Sequence, residues 1–304
     1  MPAATPPAPR GFFNLPISAR PQAGHAALLA VPYMTATGDA SALCAEAPEA
    51  MRRVSAEVKA GRWDIDLQRP LFAASPIDLG FFASSGDAAT DRDQLTRRAS
   101  EIIRADGRPL IVGGDDSVSI PPLQALRTLR GGAHLVQIDA HLDWKDHLRA
   151  ERWGRSSVMR RASEMPWISA ITQIGLRGVG TALGADAMAA SEHGTLITAR
   201  KMKSLRVDDM LRHIQDEHVY LTLDLDGINP AEMPAVPSPS PGGPGLDEII
   251  EIILALAERH RLVGANLVEC APRRDVGGLG MRAAVRLLAV LADVLSVGRA
   301  AADA

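Results

Sequence analysis

An α/β protein with helices on both faces of a mostly parallel sheet is the fold class this sequence predicts, and three observations carry that expectation. Short apolar runs recur along the chain, among them Ala27–Val31, Leu110–Val112 and Val219–Leu223. Each run is apolar on both of its faces, as a strand covered on two sides must be. Longer segments of helical periodicity separate the runs, which is the βαβα alternation of a parallel sheet.

In chain order, residues 1–25 are expected as an N-terminal arm, because Met1 to Arg10 is Ala/Pro-rich without a hydrophobic signal core. Strands are then expected at Ala27–Val31, Ile77–Leu79, Leu110–Val112, His134–Asp139, Ala170–Ile174, Thr195–Thr198, Val219–Asp226 and Leu262–Glu269. Amphipathic helical stretches lie between them at Pro48–Ala60, Thr90–Ala105, Pro121–Leu129, Val207–Gln215 and Leu246–His260, with a long one last at Leu279–Leu295. No Pro/Gly-rich boundary divides the chain, so residues 26–304 are expected to form one domain. The Pro-rich run Pro230 to Pro244 follows directly on a strand bearing two carboxylates, which argues for a structured loop over a site.

Composition narrows the function. The 304 residues hold 33 basic against 36 acidic side chains, a net charge of −3, which excludes a polycationic nucleic-acid binder. Aromatic residues make up only 4%, too few for base-stacking platforms. The two cysteines, Cys44 and Cys270, cannot build a disulfide framework and are expected as buried apolar side chains in a reducing compartment. No apolar run reaches the roughly 18 residues of a membrane span. A cytoplasmic α/β protein with neither nucleic acid nor membrane as partner is the expectation.

In a sheet of this kind, function gathers at the carboxyl ends of the strands. Three ends are dense in polar groups: Gly113-Gly114-Asp115-Asp116-Ser117, Asp139-Ala140-His141-Leu142-Asp143 and Asp224-Leu225-Asp226. In the last two, acids two and four residues apart point to one side of an extended chain. An Asp-x-Asp alone after a strand is commonly a turn or a helix cap. Several such carboxylates and an imidazole on one rim instead need cations, because buried like charges are costly. Carboxylate oxygens with an imidazole suit Mn²⁺ or a similar first-row ion, and the number of carboxylates exceeds what one ion uses.

These motifs, with Leu221 to Pro230 and Leu267-Val268-Glu269, resemble in content and order the ureohydrolases, the arginase/agmatinase family. Val31-Pro32-Tyr33, Ala47 to Arg52, Ile174-Gly175-Leu176-Arg177 and Pro241-Gly242-Gly243 extend the resemblance over most of the chain. The resemblance implies an arginase-like three-layer α/β/α fold and a two-metal centre of Mn²⁺ or Ni²⁺. It further implies hydrolysis of a guanidino-type C–N bond in a small substrate, and trimeric or hexameric assembly. Carried over by position, Asp139, His141, Asp143, Asp224 and Asp226 are metal ligands, Asp143 is also catalytic, and Glu269 pairs with the substrate guanidinium.

Two positions depart from the family pattern. The family's Gly-Gly-Asp-His-Ser supplies a histidine ligand where this chain has Asp116, which adds a negative charge and makes that metal position weaker or empty. The agmatinase branch has a His-Gly pair where nine residues after Asp143 lead to Trp153-Gly154. Indole is neither acid nor base near neutrality, so Trp153, with Trp144, is expected to stack on a planar cation. His147 in the same loop is expected to face solvent. Two functions follow: an amidinohydrolase with a remodelled pocket, agmatinase-like or for an alkylguanidine or biguanide, or a catalytically weak subunit of a hetero-oligomer with an active paralogue. The metformin hydrolases within the family resemble such paired systems.

Overall fold

The computed structural model describes residues 10–35, 39–180 and 183–297. In chain order these carry β1 (Ala26–Val31), α1 (Asp39–Cys44), α2 (Ala47–Ser55), β2 (Trp63–Asp64), β3 (Arg69–Pro70), β4 (Ile77–Phe81), α3 (Ala88–Arg104), β5 (Arg108–Gly113), α4 (Ile120–Ala125) and β6 (Ala133–Ile138). The second half adds α5 (Val158–Ser163), β7 (Ile168–Leu176), α6 (Gly184–His193), β8 (Gly194–Thr198), α7 (Ala199–Met202), α8 (Val207–Leu211), β9 (His218–Asp224), α9 (Leu246–Arg259), β10 (Arg261–Val268) and α10 (Leu279–Val297).

Eight strands form one sheet in the order β4-β1-β5-β10-β9-β6-β7-β8, and every neighbouring pair is parallel. The expected class, a three-layer α/β/α fold on a parallel sheet, is the fold observed. Both faces of the strands are apolar because both are covered: all six residues of β1 are buried. Helices α2, α9 and α10 pack together over one face, while α3, α4 and α5 cover the other. The small β2–β3 pair is antiparallel and lies outside the main sheet.

Where expectation and structure differ, local chemistry explains it. The helix expected at Pro121–Leu129 is the short α4 between two 3-10 turns, with Pro121 and Pro122 in its first turn, where a missing N–H costs nothing. The strand expected to reach Asp226 ends at Asp224, whose carboxylate accepts the Asp226 N–H at 2.7 Å and turns the chain into a 3-10 helix. Within the expected arm, Phe12 and Phe13 are buried, and the Phe13 ring lies 4.8 Å from that of Phe72. The apolar face of α10 is spent inside the chain, with Leu287, Leu288, Val290, Leu291 and Leu295 fully buried in the core; Arg299-Ala300-Ala301, beyond the helix, lie outside the described residues.

The register of the central strands sets up the site. Val268 pairs with Asp224, Leu267 with Val112, and Ile138 with Leu223, so four adjacent strands end level with one another. One step beneath that edge, Gln173, Gln137, Thr222 and Asn266 form a row of buried polar side chains across four strands. Among the described residues, no helix is long and apolar enough to cross a membrane.

Candidate metal centre and active site

The level ends of β5, β10, β9 and β6 deliver Asp116, Glu269, Asp224 and Asp139 to one rim, all buried. Gly114 closes the rim between β1 and β10. Its N–H donates to the Val31 carbonyl at 2.8 Å, and its own carbonyl accepts the Glu269 N–H at 2.8 Å. A β-carbon there would lie 1.3 Å from the Pro32 carbonyl oxygen, so only glycine fits. Glu269 and Asp143 both adopt left-handed backbone, φ 58° and φ 48°, a strain that collects where side chains must be aimed.

Two groups of donor atoms meet the geometry of a metal site, and they share Asp139. Asp139, His141 and Asp226 form one; Asp116, Asp139 and Asp224 form the other, each with ligand atoms within 4.8 Å of one another. His141 Nδ1 lies 3.1 Å from Asp226 Oδ2 and 3.4 Å from Asp139 Oδ1. Asp116 Oδ2 and Asp226 Oδ1 are buried without a hydrogen-bond partner. Orphaned buried carboxylate oxygens are costly, and a divalent cation at these positions would satisfy them. The residues present therefore fit a pair of divalent cations. Asp143 is outside both groups of three but lines the cavity beside them.

Burial pushes the carboxyls of Asp116, Asp139, Asp143 and Asp224 above the usual range. Neighbouring acids add to the effect: Asp143 on Asp116 and Asp139, and Asp226 on Asp224. Glu269 is raised to about 8 by burial, against the lowering pull of Arg155. His141 goes the other way from a buried imidazole: burial would depress it, but the hydrogen bond and charge of Asp226 hold it up at about 9.

Side chains the sequence reading passed over hold the acids in place. Gln137 Nε2 donates to Asp139 at 2.6 Å, and Gln173 Nε2 donates to the Leu142 carbonyl at 2.9 Å. Ser119 Oγ donates to Asp116 and itself accepts from Asn266 Nδ2 at 2.8 Å. Arg177 donates to the carbonyls of Gly175, Asp226, Gly227, Ile228 and Ser240 at 2.8–3.2 Å, tying the turn that carries Asp226 to the Pro-rich loop. An amide inside an apolar strand run was the available signal for Gln137 and Asn266. Arg177 lay within a motif already noted.

A cavity of about 740 Å³ opens above the rim, lined by Asp116, His141, Asp143, Asp224, Asp226 and Glu269 with Trp144, Leu148 and Arg155. Trp144 borders the cavity but is only 2% exposed. Trp153, expected to stack on a substrate, is not among the lining residues. Its backbone N–H donates to Glu151, and the Arg92 guanidinium sits 4.9 Å over its ring. The loop therefore turns Arg155, two residues on, toward the rim. His147 is exposed beside Asp146, as expected.

The fold is thus a parallel α/β sheet whose carboxyl edge carries one histidine and several carboxylates placed to hold divalent cations. The chain belongs to the arginase family, whose pattern matches residues 25–292. Over 239 residues it is 29% identical to the guanidinobutyrase of Pseudomonas aeruginosa, covering 73% of this chain and 75% of that one. It is also 29% identical over 283 residues to the agmatinase of Neisseria meningitidis, covering 87% of this chain and 86% of the relative. Among solved structures, proclavaminate amidino hydrolase from Streptomyces clavuligerus superposes with a TM-score of 0.84 at 24% identity, over 94% of this chain and 97% of that one. Trypanosoma cruzi formiminoglutamase, solved with Mn²⁺, gives 0.78 at 17% identity over 90% and 94%. These two likenesses bear on the fold alone.

Proposed function

We propose that this chain hydrolyses a guanidino-type C–N bond in a small substrate and releases urea or a urea derivative. The two donor groups joined through Asp139, with unpartnered oxygens on Asp116 and Asp226, carry the reading. Asp116, Asp139, Asp143, Asp224, Asp226 and His141 would hold two divalent cations, Mn²⁺ or Ni²⁺. When bound, such a pair lowers the pKa of a water toward neutrality and so supplies a nucleophile at physiological pH. The chain's own groups do the rest. Glu269 pairs with the guanidinium and presents its central carbon to the rim. Asp143, on the cavity wall, accepts a proton at its carboxylate and returns it to the leaving amine. The buried ring of Trp144 narrows the cavity against bulk water.

The similarity to a guanidinobutyrase and to agmatinases supports a guanidine on an aliphatic tail, with alkylguanidines and biguanides as the further candidates. Assembly as a trimer or hexamer, alone or with a paralogue, accompanies this reading. A second reading, a supporting subunit beside an active paralogue, is favoured by Asp116 at a histidine position. Urea release from agmatine, 4-guanidinobutanoate and a biguanide panel, by the Mn²⁺- or Ni²⁺-loaded chain alone, tests the first reading. Turnover lost in Asp224→Asn supports it. Silence from the lone chain, with activity beside a paralogue that survives Asp224→Asn, overturns it.

A further inference from the structure

The carboxylate read above as the guanidinium partner already faces a guanidinium of this chain. Arg155 opens the 3-10 turn Arg155–Ser157 and places Nη1 3.3 Å from Glu269 Oε2. The carboxylate is 2% exposed and the arginine side chain 27%, so the arginine reaches it from the open side of the cavity. Burial disfavours the arginine's charge, but Glu269, Asp115, Asp143 and Asp224 around it more than compensate.

Glu269 has little left for a ligand. Its Oε1 accepts the Asp116 N–H at 2.9 Å, and Oε2 lies 3.6 Å from Cys44 Sγ as well as near Arg155. A guanidinium entering to pair with Glu269 must take Oε2, where Arg155 stands. Yet Arg155 is held there by one nitrogen at 3.3 Å and not by the two-pronged fork that makes such pairs strong. A single long contact to a mostly buried acid, made by a side chain that borders open cavity, is one that a better-placed guanidinium displaces.

We propose that Arg155 is an intramolecular occupant of the guanidinium subsite at Glu269, competing with an external guanidino ligand that must displace it to bind. The proposal rests on Glu269 being the guanidinium partner.

The test is isothermal titration of the Mn²⁺-loaded full chain with guanidinium chloride at millimolar concentration, which probes the subsite without a tail and without turnover. Arg155→Met should bind guanidinium at least ten-fold more tightly than the unaltered chain, and adding Glu269→Gln should remove that gain. Arg155→Lys keeps the charge but is too short to cover Oε2, so at least a three-fold gain should remain. Arg155→Gln is read as Arg155→Met is, should methionine not be tolerated in the fold. Equal or weaker binding in the neutral variants overturns the proposal. So does a gain in Arg155→Met that is absent in Arg155→Lys, since that marks remote charge repulsion and not occupancy. If Glu269→Gln weakens binding while Arg155→Met leaves it unchanged, only the occupant fails. If Glu269→Gln has no effect in either background, the reading of Glu269 itself fails.

Discussion

Removing metal should make this chain's stability fall as pH rises through neutrality, and the site's own groups set the size of the effect. Glu269 moves from an ordinary 4.5 to about 8 on folding, and His141 from 6.5 to about 9. Both folded values lie above the unfolded ones. Their contributions are therefore full below the unfolded pKa and are lost as pH rises through the folded pKa. Between pH 6.5 and 8 the folded chain holds about one and a half more protons on the two groups together than the unfolded chain does. One extra proton is worth about 1.4 kcal/mol per pH unit, so the two together lose about 2 kcal/mol of unfolding free energy per unit. Asp116, Asp139, Asp143 and Asp224, also raised, act with the same sign. The buried His134 and the exposed His213 are both lowered by desolvation, so their opposite effect lies mainly below pH 6.5. Cations compete with protons for the same oxygens, so the loaded chain should be spared this loss. The measurement is thermal melting by circular dichroism at half-unit steps from pH 6.5 to 8, after dialysis against a chelator and again with Mn²⁺. A metal-free melting temperature that stays level or rises across this window refutes the reasoning.

Three further outcomes are expected. Arg177→Ala strips donors from five carbonyls and should cost roughly 3 kcal/mol in chemical denaturation, because unsatisfied buried acceptors cost about 1–3 kcal/mol each and some of these reach water; it should also lower metal retained per chain, as Asp226 loses its anchor. Trp153→His should leave guanidine hydrolysis unaltered in steady-state assays, because the indole packs under Arg92 and does not line the cavity. Asp116→His replaces a buried anion by a neutral ligand, and elemental analysis after dialysis should find more metal per chain than in the unaltered protein.

The parallel sheet was legible because burial on both faces leaves its mark residue by residue. All eight strands of the main sheet coincide with apolar runs, from β1 to β10. The short α1, α5 and α7 left no comparable pattern, since four to six residues hold barely one amphipathic repeat. The acids of the rim were legible for a related reason: a carboxylate at the end of an apolar run has to be accounted for, and Asp139, His141, Asp143, Asp224, Asp226 and Glu269 all stand at such ends. Which groups share an atom's neighbourhood was not legible. Strand register alone brings Asp116, Asp139 and Asp224, more than a hundred residues apart at the extremes, within reach of one ion. In the loop after Asp143, sequence counting directed attention to Trp153, but packing decided otherwise. The indole found an arginine from α3 to lie under, and the turn at Gly154 carried Arg155 to Glu269 instead. Residue chemistry and period are local properties that a sequence states outright. The side chain that finally faces a buried acid is set by the competition of long-range contacts, and only the folded chain resolves it.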